Sequence, residues 1–349
     1  MANDWAEVLG SSPLVAVSSC EASHLQGGAS GALAGLQDGN SGLPMTILQV
    51  LSGWTDRLKG HRIENPRLNA ELMAAHALGL TREKLYMEIQ REVDSKEQAM
   101  IESLMHRRIQ GEPLQYILGH QEFWSIDLNV DPRVLIPRPE TELLIEQALL
   151  ILSNGFSPRT LRILEIGTGS GAIAISLARE LRNAFIVATD ISDRALRLAK
   201  ENALRAGVQR QIAFVLGDLF SPFCRKGGRR RMEMILSNPP YVARSEIESL
   251  AEEVRCHEPR GALDGGEDGL DFYRRIIGQA PSCLNAQGWL LLEIGQGQGT
   301  RIVEMIRQCG AFREPEVLGD LSGIDRVIKA QRVESYQNQK PEISTSVKR

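Results

Sequence analysis

Seven short apolar runs, spaced out by helix-patterned and turn-rich stretches, follow Pro139 and constrain this chain more than any other feature. The runs lie at 162–166, 185–189, 211–216, 232–237, 289–294, 314–318 and 324–330, and the segments between most of them carry apolar residues at helical spacing. Strands that alternate with helices build a parallel sheet covered on both faces. The fold class is therefore α/β, an open doubly wound sheet of seven strands. Its ligand crevice is expected outside the carboxyl ends of the strands, so functional residues should follow strands directly.

The first run ends in Leu164-Glu165-Ile166-Gly167-Thr168-Gly169-Ser170-Gly171-Ala172 and passes into an apolar helix from Ile173. Glycine admits positive φ and removes the Cβ that would keep a ligand away from the backbone, and the helix start offers unpaired N–H groups. Such a turn holds a polar cofactor. Gly167, Gly169 and Ala172 also fit the looser dinucleotide fingerprint, so the turn alone does not separate a nicotinamide cofactor from S-adenosylmethionine. The second run ends at Asp190, about 20 residues beyond the turn, where an acidic residue suits both ribose hydroxyls. Asp190 could instead cap the helix near Asp193, a task Ser192 can perform. After the third run, Asp218 suits either an adenine amino group or a turn cap, and Leu219 and Phe220 follow.

Ser237-Asn238-Pro239-Pro240-Tyr241 stands directly after the fourth run. Two successive prolines restrict φ and remove two backbone donors, leaving a rigid arrangement rich in acceptors. That is a socket for an NH₂ group. Asn238 Oδ1 and the Pro239 carbonyl can each accept one N–H, which leaves the nitrogen aimed at a methyl donor, and Tyr241 can pack over the planar group.

The chain resembles the class I S-adenosylmethionine-dependent methyltransferases, and within them the release factor glutamine methyltransferases (the PrmC or HemK family). The likeness covers 45–331 and rests on the two motifs above, on Leu135-Ile136-Pro137-Arg138-Pro139-Glu140-Thr141-Glu142, on Glu258-Pro259-Arg260-Gly261-Ala262-Leu263, and on Leu290-Leu291-Leu292-Glu293-Ile294-Gly295. It implies a Rossmann-like seven-stranded methyltransferase sheet over 135–331, a β-hairpin linker at 119–134 and a small helical domain at 45–118 that docks the substrate protein. It also implies that Gly167, Thr168, Gly169, Ser170, Gly171, Asp190, Asp218, Leu219 and Asn238 hold S-adenosylmethionine, with S-adenosylhomocysteine as product. Asn238, Pro239, Pro240 and Tyr241 would hold the substrate glutamine, with Asn238, Pro239 and Tyr241 catalytic. The partner implied is a peptide chain release factor, through its Gly-Gly-Gln loop. The Asn-Pro-Pro-Tyr motif by itself also fits DNA adenine-N6 amino-methyltransferases and a ribosomal protein glutamine methyltransferase. The Pro-Arg-Pro-Glu-Thr-Glu segment favours the release factor branch.

Independent helical patterning supports the amino-terminal part of this division. Ile47, Val50, Leu51, Trp54 and Leu58 form one stripe, and Leu68, Leu72, Ala75 and Leu78 a second, with further helices expected near 81–87 and 95–110 and Ser95 as a cap. Residues 116–134 carry aromatic and β-branched residues around Gly119, as a hairpin does. Residues 1–44 contain no Lys or Arg and are dominated by Gly, Ala and Ser, and 332–349 lack periodicity, so both are expected to be disordered. Met45 opens the patterned part and is expected to be the physiological start.

Composition narrows the partners. With 42% hydrophobic and 24% charged residues and a formal charge of −4, the chain is a globular protein without a bulk positive field, so no stable nucleic-acid partner is expected. The run Arg225 to Arg231 reads as a solvated loop. Five cysteines without a C-x-x-C pair and six scattered histidines predict no metal and no disulfide framework. No apolar run is long enough for a membrane span and no secretory signal opens the chain, which predicts a cytoplasmic protein.

Overall fold

The computed structural model describes residues 45–155, 161–223 and 231–334, so the expectations for 1–44, 335–349 and Arg225 to Arg230 lie outside the described residues. Two compact units divide the chain, one ending at Glu102 and the other beginning at Ser103.

In the first unit β1 (Met45–Thr46) leads into α1 (Ile47–Gly60), followed by α2 (Pro66–Leu78), α3 (Arg82–Met87), β2 (Glu92–Val93) and the start of α4 (Ser95–Ile109). Thr46 and Gln49 form a reciprocal capping box that satisfies two orphan donors at the start of α1. The five apolar residues of the expected α1 stripe are all buried. In α2 the expected stripe holds at Ala75 but not at Leu68, which is exposed, nor at the half-buried Leu72 and Leu78, and the buried face consists of Asn69, Ala70, Glu71, Met73, Ala74, Ala75 and Ala77. Counting large aliphatics misreads this helix because small alanines allow close packing, while buried Glu71 is held by Arg67, Arg82 and Tyr86. At α4 the cap is Asp94 rather than Ser95, since Asp94 Oδ1 accepts from the N–H groups of Lys96 and Glu97, each at 2.8 Å.

The second unit continues with α5 (Leu114–Leu118), β3 (His120–Phe123), β4 (Ile126–Asn129), α6 (Glu142–Gly155), β5 (Leu161–Ile166), α7 (Ala172–Glu180), β6 (Ala184–Asp190), α8 (Asp193–Arg205), β7 (Ile212–Leu216), β8 (Met232–Ser237), α9 (Glu252–His257), α10 (Asp271–Cys283), β9 (Leu284–Glu293), α11 (Gly299–Cys309), β10 (Glu316–Gly319) and β11 (Asp325–Gln331). The β3–β4 hairpin forms, but it is more than a linker. Phe123, Ile126 and Leu128 are buried in the same core as Ile163, Ile186 and Leu236. Asn202 of α8 closes the seam by accepting from Asn129 N–H at 2.8 Å and donating to its carbonyl at 3.0 Å.

The seven expected strands form one sheet in the order β10-β11-β9-β8-β5-β6-β7. Pairs among β9, β8, β5, β6 and β7 are parallel, while β11 runs antiparallel to both β9 and β10. The chain steps outward from β5 to β6 and β7, then returns to the other side of β5 as β8. This reversal opens a crevice at the carboxyl ends of β5 and β8. Sheet pairing extends past Gln331, for Arg332 and Val333 still hydrogen-bond to Gly288 and Ala311, so the tail begins later than the sequence implied.

Candidate active site

A cleft of about 810 Å³ occupies that crevice, a volume within the usual range for small-molecule sites. Gly167, Thr168, Gly169 and Ser170 from the glycine turn line it, with Asp190, Asp218, Leu219, Asn238, Pro239 and Pro240. Gly171 lies behind the turn and must be glycine. Its φ is +84°, and a Cβ there would stand 3.0 Å from Ile175 Cδ1 and 3.2 Å from Ala199 Cβ, closing the approach of α7 to α8.

The turn is held by its own hydrogen bonds. The N–H groups of Gly167 and Thr168 donate to the Thr189 carbonyl at 2.9 Å, and Gly169 N–H donates to Asp190 Oδ2 at 2.9 Å. The other Asp190 oxygen accepts from Ser192 N–H at 2.9 Å, while Ser192 Oγ caps α8 through Ala195 N–H. Asp190 thus locks the turn to the end of β6 while facing the cleft, and burial raises its pKa. Asp218 pairs with the Arg275 guanidinium instead of capping a turn with its side chain. Leu219 reaches the cleft wall through a φ of +48°, and Phe220 is buried in the core.

Across the cleft, Ser237 Oγ donates to the Ile166 carbonyl at 2.8 Å and ties the end of β8 to β5. Asn238 Nδ2 donates to Thr141 Oγ1 at 3.2 Å, and Thr141 Oγ1 donates in turn to Glu293 Oε2 at 2.6 Å. The segment bearing Thr141 is anchored by buried Glu258, which accepts from Ile136 N–H at 3.1 Å and pairs with Arg138. The Tyr241 ring packs beside Gly295, where a Cβ would lie 3.0 Å from it, and the Tyr241 carbonyl accepts from Gln298 Nε2 at 2.9 Å. Burial, with the Glu293 carboxyl nearby, pushes its hydroxyl pKa up to about 12.

Two family models match the chain: the PrmC N-terminal domain over residues 49–119 and the methyltransferase small domain over 142–316. A release factor glutamine methyltransferase of Geobacter sulfurreducens is 43% identical over 283 residues, covering 81% of this chain and 95% of that protein. One from Moorella thermoacetica is 41% identical over 290 residues, covering 83% and 100%. The chain belongs to the release factor glutamine methyltransferase family. A more distant relative of that name, from Rhodopirellula baltica, is 34% identical and still covers 83% of this chain and 97% of its own length.

For a release factor glutamine methyltransferase, sequence reasoning overlooked four cleft residues. Ile191, immediately after Asp190, is 74% exposed in the cleft wall. Phe272, on the first turn of α10, lines the cleft under the Arg275 guanidinium, whose carbon lies 5.9 Å from the ring centroid. Thr141 is the third. The fourth is Glu165, the acidic residue that opens the glycine motif and whose position beside the turn was the available signal. It is 1% exposed, accepts from Thr168 Oγ1 at 2.7 Å through Oε2, and has no hydrogen-bond partner at Oε1.

Burial pushes the Glu165 pKa up to about 8, against the opposing bond from Thr168. The folded protein therefore binds a proton there that the unfolded chain has released above its ordinary value of 4.5. Stability from this group falls as pH rises from that value through about 8. The expected result is a melting temperature that declines across this window and a flatter decline in Glu165→Gln. Identical pH profiles for the two proteins would show that Glu165 is not held neutral.

Proposed function

We propose that this chain transfers the methyl group of S-adenosylmethionine to the side-chain amide nitrogen of the glutamine in a release factor's Gly-Gly-Gln loop. The observation that carries the reading is the Asn238 amide, held by Thr141 so that its Oδ1 is left as an acceptor on the wall opposite the glycine turn. The cofactor fits the residues present. The unpartnered Glu165 Oε1 suits an α-ammonium group, Asp190 retains lone pairs for a ribose diol, and Ile191, Leu219 and Phe272 offer apolar surface to a purine.

Once bound, S-adenosylmethionine would supply an electrophilic methyl group for the amide nitrogen, which would release one proton to solvent. An amide nitrogen is a weak nucleophile because its lone pair is delocalised. The residues act by position and charge. Asn238 Oδ1 and the Pro239 carbonyl accept the two substrate N–H groups, which become more acidic as the nitrogen takes on positive charge. Both acceptors therefore stabilise the transition state more than the ground state. Among the described residues no group of three His, Cys, Asp or Glu is placed to hold a metal ion, and no helix is long and apolar enough to cross a membrane. We place the reaction in the cytoplasm, where release factors act.

The test offers labelled S-adenosylmethionine with a purified release factor, its Gly-Gly-Gln to Gly-Gly-Ala variant, or duplex DNA. Label on the first substrate alone is expected. Label on DNA, or on the Gly-Gly-Ala variant, would remove the substrate assignment while leaving the fold and family intact.

A further inference from the structure

The Asn238 socket is oriented by residues far away in sequence. Thr141 lies ahead of α6, Asn238 follows β8, and Glu293 ends β9, yet their side chains form one hydrogen-bonded chain. Thr141 and Glu293 are 4% and 2% exposed, so water does not substitute for the contact between them. A threonine hydroxyl has one hydrogen. Here it is directed to the Glu293 carboxylate at 2.6 Å, so toward Asn238 the same oxygen can only accept. The face of the Asn238 amide turned to Thr141 must then be its NH₂. The opposite amide rotamer would set Oδ1 against the lone pairs of Thr141 and present donors to a substrate that itself offers donors.

We propose that Thr141 and Glu293 are positioning residues for methyl transfer, fixing the polarity of the Asn238 amide so that its oxygen faces the substrate nitrogen. This deepens the functional reading above and rests on it. The environment of Glu293 supports the direction of the chain. Burial pushes its pKa up to about 7, while the bond from Thr141 and the positive charge of Arg326 on β11 favour the ionised form. Glu140 opposes ionisation, the Tyr241 hydroxyl lies nearby, and Tyr273 fixes the backbone by donating its hydroxyl to the Glu293 carbonyl at 2.8 Å. An ionised Glu293 can only accept, which sets the polarity of the whole chain. A protonated Glu293 can donate to Thr141 and free the threonine hydrogen to turn toward Asn238 Oδ1.

Thr141→Val removes the hydroxyl at nearly constant volume, Thr141→Ser keeps it, and Glu293→Gln supplies a permanent donor in place of the ionisable acid. Single-turnover methylation of a release factor is measured at saturating cofactor and substrate from about pH 5.5 to 9, with cofactor affinity by calorimetry and melting temperature for each variant. Thr141→Val is expected to lower the rate constant by about tenfold with cofactor affinity within about threefold, and Thr141→Ser to restore it to within about threefold. The wild-type rate is expected to fall as pH drops through about 7, following protonation of Glu293, and Glu293→Gln to show a lower rate without that acid limb. A Thr141→Val protein that changes only in melting temperature overturns the proposal. So does a Glu293→Gln protein that keeps the wild-type acid limb, and this second variant decides the matter if Thr141→Val does not fold. Wild-type transfer with unaffected variants removes the positioning role alone, whereas absence of transfer by the wild-type protein removes the functional reading itself.

Discussion

Asn238→Ala is expected to lower single-turnover methylation of a release factor by about 100-fold, the scale set by removing one preorganised acceptor aimed at developing charge. The side chain is placed by β8, by the proline pair that follows and by Thr141, so truncation deletes an acceptor whose orientation was established on folding. Little of the loss should appear in stability, because Asn238 is only partly buried and Thr141, to which it donates, keeps its stronger bond to Glu293. The measurement is a rapid-quench time course at saturating S-adenosylmethionine. An unchanged rate constant would mean that the amide nitrogen is held by other groups and that the socket reading is wrong.

Asp190→Ala should weaken the cofactor rather than the chemical step. The carboxylate accepts from Gly169 and Ser192 at 2.9 Å each, so its removal leaves two backbone donors beside the cleft unsatisfied and takes away the proposed ribose acceptor. The unmet donors burden the free and the bound protein alike and so lower the melting temperature, whereas the lost hydrogen bonds from the ribose to a charged acceptor, about 3 kcal/mol in all, correspond to roughly a 100-fold rise in the dissociation constant. Calorimetric titration with S-adenosylhomocysteine provides the measurement, and Asp190→Asn, which keeps one acceptor oxygen, should fall between the two. A dissociation constant for Asp190→Ala within about threefold of wild type would show that Asp190 serves only to tie the glycine turn to β6.

Much of the architecture is legible in the order of residues because it depends on local periodicity. Apolar runs too short for helices, each followed by a turn or an amphipathic helix, specify strands wherever they occur, and all seven formed. The places of the glycine turn and the Asn-Pro-Pro-Tyr segment, directly after β5 and β8, were equally readable. Their chemistry resides in the backbone, in residues that admit positive φ or lack an N–H, and backbone constraints are written residue by residue. The misread elements are those in which packing overrides pattern. The stripe of α2 was assigned to Leu68, Leu72, Ala75 and Leu78, of which only Ala75 belongs to the inner face that Asn69, Glu71, Met73 and further alanines form. The hairpin assigned to a linker inserts Phe123, Ile126 and Leu128 into the core of the second unit.

The sequence by itself determined the sheet, the crevice and the identity of the groups that follow β5, β6 and β8. Tertiary structure alone decided which of those groups share a wall and how they are oriented. It turned Tyr241 toward Gly295, brought Phe272 from α10 and Glu165 from β5 to the cleft, and joined Thr141 to Asn238 and Glu293 across nearly 100 and more than 150 residues of chain. A side chain's direction and protonation depend on neighbours contributed by distant segments, and on their removal from water. Neither exists until the layers have packed.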